Sequence, residues 1–362
     1  MLLSNLRKQI VEGRLSPGSR LPTRNELERK YGVSTITTQR AFDTLKHDGF
    51  VESRGKLGTF VTANPPHLCH YGLAFFQHLG QENWRRFDTA FLNEASAIDK
   101  LHDRKMRFYY GIDYKSDLGG ECRRLVADAH ASRLAGVIFA ARPSEQLLQT
   151  LATKAPQMPC VAITGSRPAD LPTASAVTLG SHNLFAKAID YLASLGRRRI
   201  AFLNSPNSSQ VRLEEWEQNL RTFAANKGMT SEPHWMLAAS TTRGGVGVPN
   251  LIHLLFEQSR ANRPDCLFIT NDNLVEHATA GLMAAGVRVP QDVDVVAHCN
   301  FPWPVPSSVP VKRVGYDARE VLRRCISIID EQRGGRLAPR LVVMDAVFEE
   351  EVAAASEQHA DS

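Results

Sequence analysis

Between positions 34 and 40 the chain reads Ser-Thr-Ile-Thr-Thr-Gln-Arg, which puts hydroxyls, an amide, an aliphatic side chain and a guanidinium within two helical turns. These groups suit the edges of base pairs and the phosphates beside them. Gln39 suits a two-point pair with adenine, and Ile36 suits the methyl group of thymine. Ser34, Thr35 and Thr37 offer short hydroxyls, and Arg40 suits a phosphate. Arg24 and Asn25 come shortly before, and Arg54, Lys56 and Gly58 follow in the run SRGKLGTF. A blander role exists for the hydroxyls, which also cap and decorate surface helices.

The elements that must position these residues are short. Leu3, Leu6 and Ile10 recur at helical spacing before the break Ser16-Pro17-Gly18, predicting a helix over Leu2 to Glu12. Thr23 and Glu26 form a capping box for a second helix that runs to Tyr31 and is ended by Gly32. Ser34 caps a third, in which Thr38, Ala41, Phe42 and Leu45 share the buried face and Thr35, Ile36, Gln39 and Arg40 point outward. Two helices across a tight glycine turn make a helix-turn-helix. FVESRGKLGTFV then predicts a hairpin, a wing, with Arg54 and Lys56 at its tip.

Charge supports a polyanion partner for this segment. Residues 1–63 carry eleven Lys and Arg against six Asp and Glu, whereas the other 299 of the 362 residues balance at zero. The chain is too long for one core, since cores rarely grow past about 250 to 300 residues. No apolar run reaches the roughly 18 residues of a membrane span, which predicts a cytoplasmic protein without membrane partners. Cys69, Cys122, Cys160, Cys266, Cys299 and Cys325 lack paired spacing and read as reduced core thiols, so neither metal nor cofactor is expected. Walker, HExxH, GxSxG and dinucleotide patterns are missing from the sequence, which argues against an enzyme.

Thr62-Ala63-Asn64-Pro65-Pro66-His67 marks a boundary, because consecutive prolines favour extended chain. The expected units are a head at 1–63, a stiff polar linker at 64–70, a body at 71–351 and a disordered tail at 352–362. In the body, YGLAFF, FYYGI, GVIFA, CVAIT, SAVTL, IAFLN, WMLAA, CLFIT and DVVAH alternate with helical patterns, the rhythm of parallel sheets in two linked lobes. Ligands of such folds sit at the carboxyl ends of strands. Gln77 and His78 occupy that place after the first strand, and Arg142 after GVIFA. Trp303, in FPWPVP, would stack on an apolar ligand face or pack on its lobe.

LSPGSRLPTRNELERKYGVSTITTQRAFDTLKHDGFVESRGKLGTFV resembles the GntR-type winged helix-turn-helix nearly end to end. Pro17-Gly18, Leu21-Pro22, Leu27, Gly32-Val33-Ser34, Thr37, Ala41, Leu45, Gly49 and Gly58-Thr59-Phe60-Val61 carry the likeness. From Tyr71 to Val347 the chain resembles the LacI/GalR-type effector domain, itself similar to periplasmic sugar-binding proteins. The carriers there are YLASLGRRRIAFL, Arg212, LFITND ending in Asn271-Asp272, AAGVRVPQDVDVVAHCN and VKRVGYDARE. Arabinose repressors of the GntR class join the same two modules.

The resemblance implies a small α+β winged helix-turn-helix followed by a two-lobed α/β periplasmic-binding-protein-like domain with parallel sheets. It implies a transcription regulator, a repressor by the family's habit, that binds a double-stranded operator as a homodimer and answers a small, carbohydrate-like effector. An activator, or a regulator with a degenerate effector site, is the alternative. An aminotransferase-type fusion is disfavoured. Arg212 matches a ligand-clamping arginine, although Glu214 and Glu215 offer it salt bridges instead, and Asn271-Asp272 match a polar pair at a strand end. Cys299 and Asn300 stand where sugar binders usually carry an aspartate. Arginines usual in the GntR head are replaced by Asn25, Thr35 and Gln39, which shifts the expected site away from guanine.

Overall fold

The computed structural model describes residues 1–362 apart from 82–83, 102–103, 113–118, 165–172, 206–209, 241–244, 258, 260–261, 336–337 and 361–362. Its amino-terminal unit begins with α1 (Leu2–Val11), which buries Leu2, Leu6 and Ile10. α2 (Arg24–Tyr31) starts at the capping box that the spacing predicts: the Glu26 amide donates to Thr23 Oγ1 at 3.4 Å and the Thr23 amide to Glu26 Oε2 at 2.7 Å. α3 (Thr35–His47) buries Thr38, Ala41, Phe42 and Leu45. β1 (Val51–Ser53) and β2 (Thr59–Val61) pair antiparallel as the wing. Gly58 in the wing has φ +109°, a left-handed backbone that demands glycine, and the Arg20 guanidinium lies over it, 2.9 Å from where a Cβ would stand.

The segment after the wing packs rather than spans. Pro66 opens a short helix, α4 (Pro66–Cys69), in which Pro66, His67 and Cys69 are buried. The His67 ring stacks on Phe50 of the head with centroids 5.9 Å apart, and the Arg333 guanidinium donates to the carbonyls of His67 and Leu68.

Burial pushes the His67 and His70 imidazoles from 6.5 down to about 4, with the Arg333 and Arg107 cations adding to the effect. Both rings stay neutral when folded and take up protons on unfolding below pH 6.5. Their contribution is complete above the unfolded value and is lost as pH falls towards about 4. The thermal midpoint should therefore drop by about 3 °C between pH 7 and pH 5. Calorimetry on His67→Gln should show a smaller drop; an equal one would exclude this histidine as a source.

The body continues with β3 (His70–Ala74), α5 (Arg86–Leu101), β4 (Lys105–Tyr109), α6 (Gly120–His130), β5 (Gly136–Phe139), α7 (Glu145–Lys154), β6 (Cys160–Thr164) and β7 (Ser175–Leu179). Next come α8 (Ser181–Ser194), β8 (Ile200–Asn204), α9 (Gln210–Asn226), β9 (Met236–Ala238), α10 (Val248–Phe256), β10 (Cys266–Ile269), α11 (Val275–Ala284), β11 (Asp294–Phe301) and β12 (Lys312–Asp317). α12 (Ala318–Arg333), β13 (Leu341–Met344), β14 (Val347–Phe348) and α13 (Glu349–Ala360) end the chain.

Two six-stranded sheets result, ordered β13-β7-β6-β5-β3-β4 and β14-β12-β11-β10-β8-β9. Every pairing is parallel except β12 with β14. The strands are continuous apolar runs because helices cover both faces. The chain crosses between the lobes after β7, after β12 and after β13. Across the first crossing, the Tyr316 hydroxyl donates to the Gly180 carbonyl at 2.8 Å.

Residues 352–360 depart from the expected disordered tail: α13 runs through them, and Val352 is buried with Cys299 and Phe301. The run EEEVAAA has the reasons in it. Three glutamates favour the helix amino terminus and the alanines carry high helix propensity. All six cysteines are buried, and none of them is in a disulfide.

Candidate functional site

α3 presents Ser34, Thr35, Ile36, Thr37 and Arg40 to solvent, with Ile36 66% exposed, an unusual position for a bare aliphatic chain. Ser34 is partly engaged, since its Oγ accepts from the Thr37 amide at 3.3 Å and lies 3.0 Å from Thr37 Oγ1. Gln39 donates to Asp43 at 2.8 Å, so its amide must turn away from that partner to meet a base. Arg24 lies over the Phe42 ring at 5.8 Å, and Asn25 is exposed on the first turn of α2. In the wing, Lys56 is exposed, whereas Arg54 folds back onto Glu52 at 2.7 Å and stacks on Phe60 at 4.7 Å. The hairpin tip expected to offer two cations thus holds one of them against its own strands.

In the body, polar groups gather at the carboxyl ends of the strands of the second lobe. Thr270 Oγ1 donates to Asn204 Oδ1 at 3.0 Å, which joins the ends of β10 and β8. Asp272, 4% exposed, accepts from Asn300 Nδ2 at 2.7 Å, joining β10 to β11. Asn271 Oδ1 accepts from the Asn273 amide and caps the turn that holds Asp272. Ser205 is buried with its hydroxyl unpartnered. Burial lowers the His298 pKa against the opposing pull of Asp272, so this ring is a neutral neighbour. Cys299 alternates onto the opposite face of β11 and packs with Phe301 and Val352, away from this cluster.

The first lobe contributes rings. Phe75, Trp84 and Tyr110 form one cluster just beyond β3 and β4, with centroids 5.1 to 6.2 Å apart. His78 lies directly over Gly111, whose φ is +65° and whose added Cβ would strike the imidazole at 2.2 Å. The Gly111 amide donates to the Gln77 carbonyl at 3.3 Å. Arg85 grips Asp88 with two donors and the Ala140 carbonyl with a third at 3.0 Å, so Arg85 as well as the exposed Arg142 stands at the end of β5. Trp303 donates from Nε1 to Glu94 of α5 at 2.9 Å and joins the two lobes, and its ring remains 49% exposed. Arg212 falls in the first turn of α9, and its side chain lies outside the described residues.

Sequence reasoning passed over Phe75, Trp84, Tyr110, Arg85, Asn204, Ser205 and Thr270. Most of them end strands that it named, so the carboxyl-end rule would have found them if applied to every strand. An open groove of about 610 Å³ lined by His182, Lys187, Asp190, Tyr191 and Phe348 lies along α8 with β14 at its edge, apart from the cluster at the ends of β8, β10 and β11.

The model for bacterial regulatory proteins of the gntR family matches residues 2–61, and that for a periplasmic binding protein-like domain matches residues 189–347. An HTH-type transcriptional regulator of Mycobacterium tuberculosis, Rv1152, is 39% identical over 83 residues, which cover 22% of this chain and 69% of that protein. The chain belongs to the gntR family of bacterial regulatory proteins. The likeness to another regulator runs almost end to end: an arabinose metabolism transcriptional repressor of Halalkalibacterium halodurans is 22% identical over 95% of each chain. The solved LacI family regulator of Arthrobacter sp. FB24, in complex with lactose, matches 77% of this chain and 97% of its own with a TM-score of 0.59 at 15% identity, a likeness of fold. This gntR-family regulator therefore carries a DNA-binding head and a two-lobed effector-type domain, and its relatives are regulators rather than enzymes. Among the described residues no helix is long and apolar enough to cross a membrane.

Proposed function

We propose that this regulator is a homodimeric repressor whose hold on its operator is relieved by a neutral, polyhydroxylated effector, a sugar, taken between the two lobes. One observation carries the choice of ligand: a shelf of rings on one lobe, in which Trp84 and Tyr110 are part-exposed over the buried Phe75, and a row of amides, hydroxyls and one carboxylate at the strand carboxyl ends of the other. Sugars present flat C–H faces to rings and hydroxyls to such rows. Arg85, its charge balanced by Asp88 and two of its nitrogens engaged with that carboxylate and the Ala140 carbonyl, is not arranged to seize an anion. The lactose complex of the Arthrobacter regulator supports the same class. The homodimer follows from the head, because a single small helix-turn-helix reads only a half-site.

In this reading Arg24, Asn25, Ser34, Thr35, Ile36, Thr37, Gln39, Arg40, Arg54, Lys56 and Gly58 face DNA. Gln77, His78, Asn271, Asp272, Asn300 and Trp303 line or close the effector cleft. A thermal-shift screen of sugars, sugar acids and nucleosides tests it. A sugar at about 100 times its dissociation constant should stabilise the chain by about 2.7 kcal/mol. Stabilisation by nucleosides or sugar acids alone would replace the neutral sugar as the effector class.

A further inference from the structure

Asp48 is an acidic residue at the carboxyl end of α3, where the helix dipole disfavours negative charge, and its side chain is only 2% exposed. Local propensity therefore argues against it, and its reason must be tertiary. Two guanidiniums from different units surround it: Arg7 of the head at 2.5 Å and Arg133 of the first lobe at 3.0 Å. Arg133 also grips Asp128 of α6 at 2.9 Å, and Asp128 accepts from the buried Tyr109 hydroxyl at 2.6 Å. Tyr109 ends β4, and its neighbour Tyr110 belongs to the aromatic shelf.

The backbone around Arg133 is also specialised. Ser132 has φ +52°, the left-handed conformation that an L residue adopts at a cost, and among the described residues no other non-glycine residue does so. That turn aims Arg133 at both carboxylates. Meanwhile the outward face of α3 stays open to solvent, so head and lobe dock without covering the DNA-reading surface.

We infer that Asp48–Arg133–Asp128–Tyr109 is a relay that fixes the head on the first lobe and couples the orientation of α3 to the end of β4 at the cleft. The relay rests on the reading that the effector enters between the lobes. A buried carboxylate shared by two arginines has discrete docked and undocked states, the kind of element whose balance two sites can both bias. An effector that moves Tyr110 shifts Tyr109 with it, and the change reaches α3 through charges that tolerate little separation.

The test uses the full chain and no effector, so its failure is separate from failure of the sugar reading. Hydrogen exchange would follow the amides of residues 44–50, with those of α10 and α11 as a control for general loosening. Arg133→Gln should raise exchange at 44–50 about tenfold, a factor that corresponds to an opening easier by ~1.4 kcal/mol. Tyr109→Phe, which keeps the ring and removes one hydrogen bond, should raise it by a few-fold while the control amides stay unchanged. Asp128→Asn, which keeps the shape, should behave like Tyr109→Phe. Unchanged exchange in Arg133→Gln would overturn the docking. A rise in Arg133→Gln with none in Tyr109→Phe and Asp128→Asn would overturn the relay. A rise that includes α10 and α11 equally would reduce both residues to general stability and overturn it too.

Discussion

Replacing Asp272 by alanine should weaken effector binding by about 100-fold while leaving operator binding intact. The carboxylate is 4% exposed and receives the Asn300 amide at 2.7 Å, so the two residues form one hydrogen-bonding unit between β10 and β11. A ligand hydroxyl meeting that unit gains a bond to a charged acceptor, worth about 1.5 to 3 kcal/mol. Alanine removes this bond; the buried Asn300 donor it also leaves unpaired costs stability in the free and bound protein alike and does not enter the affinity. A loss near ~3 kcal/mol from the charged acceptor is about two orders of magnitude. Asp272→Asn should fall between, because an amide oxygen still accepts without the charge. Calorimetric titration of wild type and both variants with the stabilising sugar would rank them. Equal affinity in all three would remove Asp272 from the effector cleft.

Gln39→Ala should lower affinity for the operator by about 1 to 3 kcal/mol and redistribute base preference at one position of each half-site. Gln39 projects from α3 four residues before its intramolecular partner Asp43, and the 2.8 Å bond between them holds the amide at the surface of the helix. On DNA the amide exchanges this partner for adenine, and losing a two-point contact is felt only where adenine stands. Lys56 provides the contrast. It is exposed at the tip of the wing, and Lys56→Ala should weaken all sequences alike and reduce the salt slope by about one unit. Gel-shift titrations on operator and random duplex at several salt concentrations separate the two behaviours. Equal losses on both DNAs for Gln39→Ala would place it among phosphate or structural residues.

The head was legible in the sequence because its signals are local. The capping box at Thr23 and Glu26, the cap at Ser34 and the buried face Thr38, Ala41, Phe42 and Leu45 all involve residues within a few positions of one another, and the structure has them so. The two parallel sheets were legible from the alternation of strand and helix patterns. What escaped depends on contacts distant in sequence. Nothing near Trp303 announces Glu94, which lies 209 residues earlier, and nothing near Asp48 announces Arg133. The connector read as polar and extended, yet His67 and Cys69 are buried because Phe50 and Arg333 meet them from two units. Composition misled at the carboxyl end, where alanine and glutamate read as disorder but build α13 once Val352 finds Cys299 and Phe301.

Coupling between the effector cleft and the DNA-reading head can be read from one titration. Operator duplex, obtained by selection from random sequence, would be titrated with the full-length protein at fixed salt, with and without the sugar that most raises its thermal midpoint. This sugar should weaken operator binding by about tenfold or more and leave random duplex unaffected, in keeping with coupling energies of about 1 to 3 kcal/mol. A sugar that stabilises the protein yet leaves operator affinity unchanged would contradict that coupling.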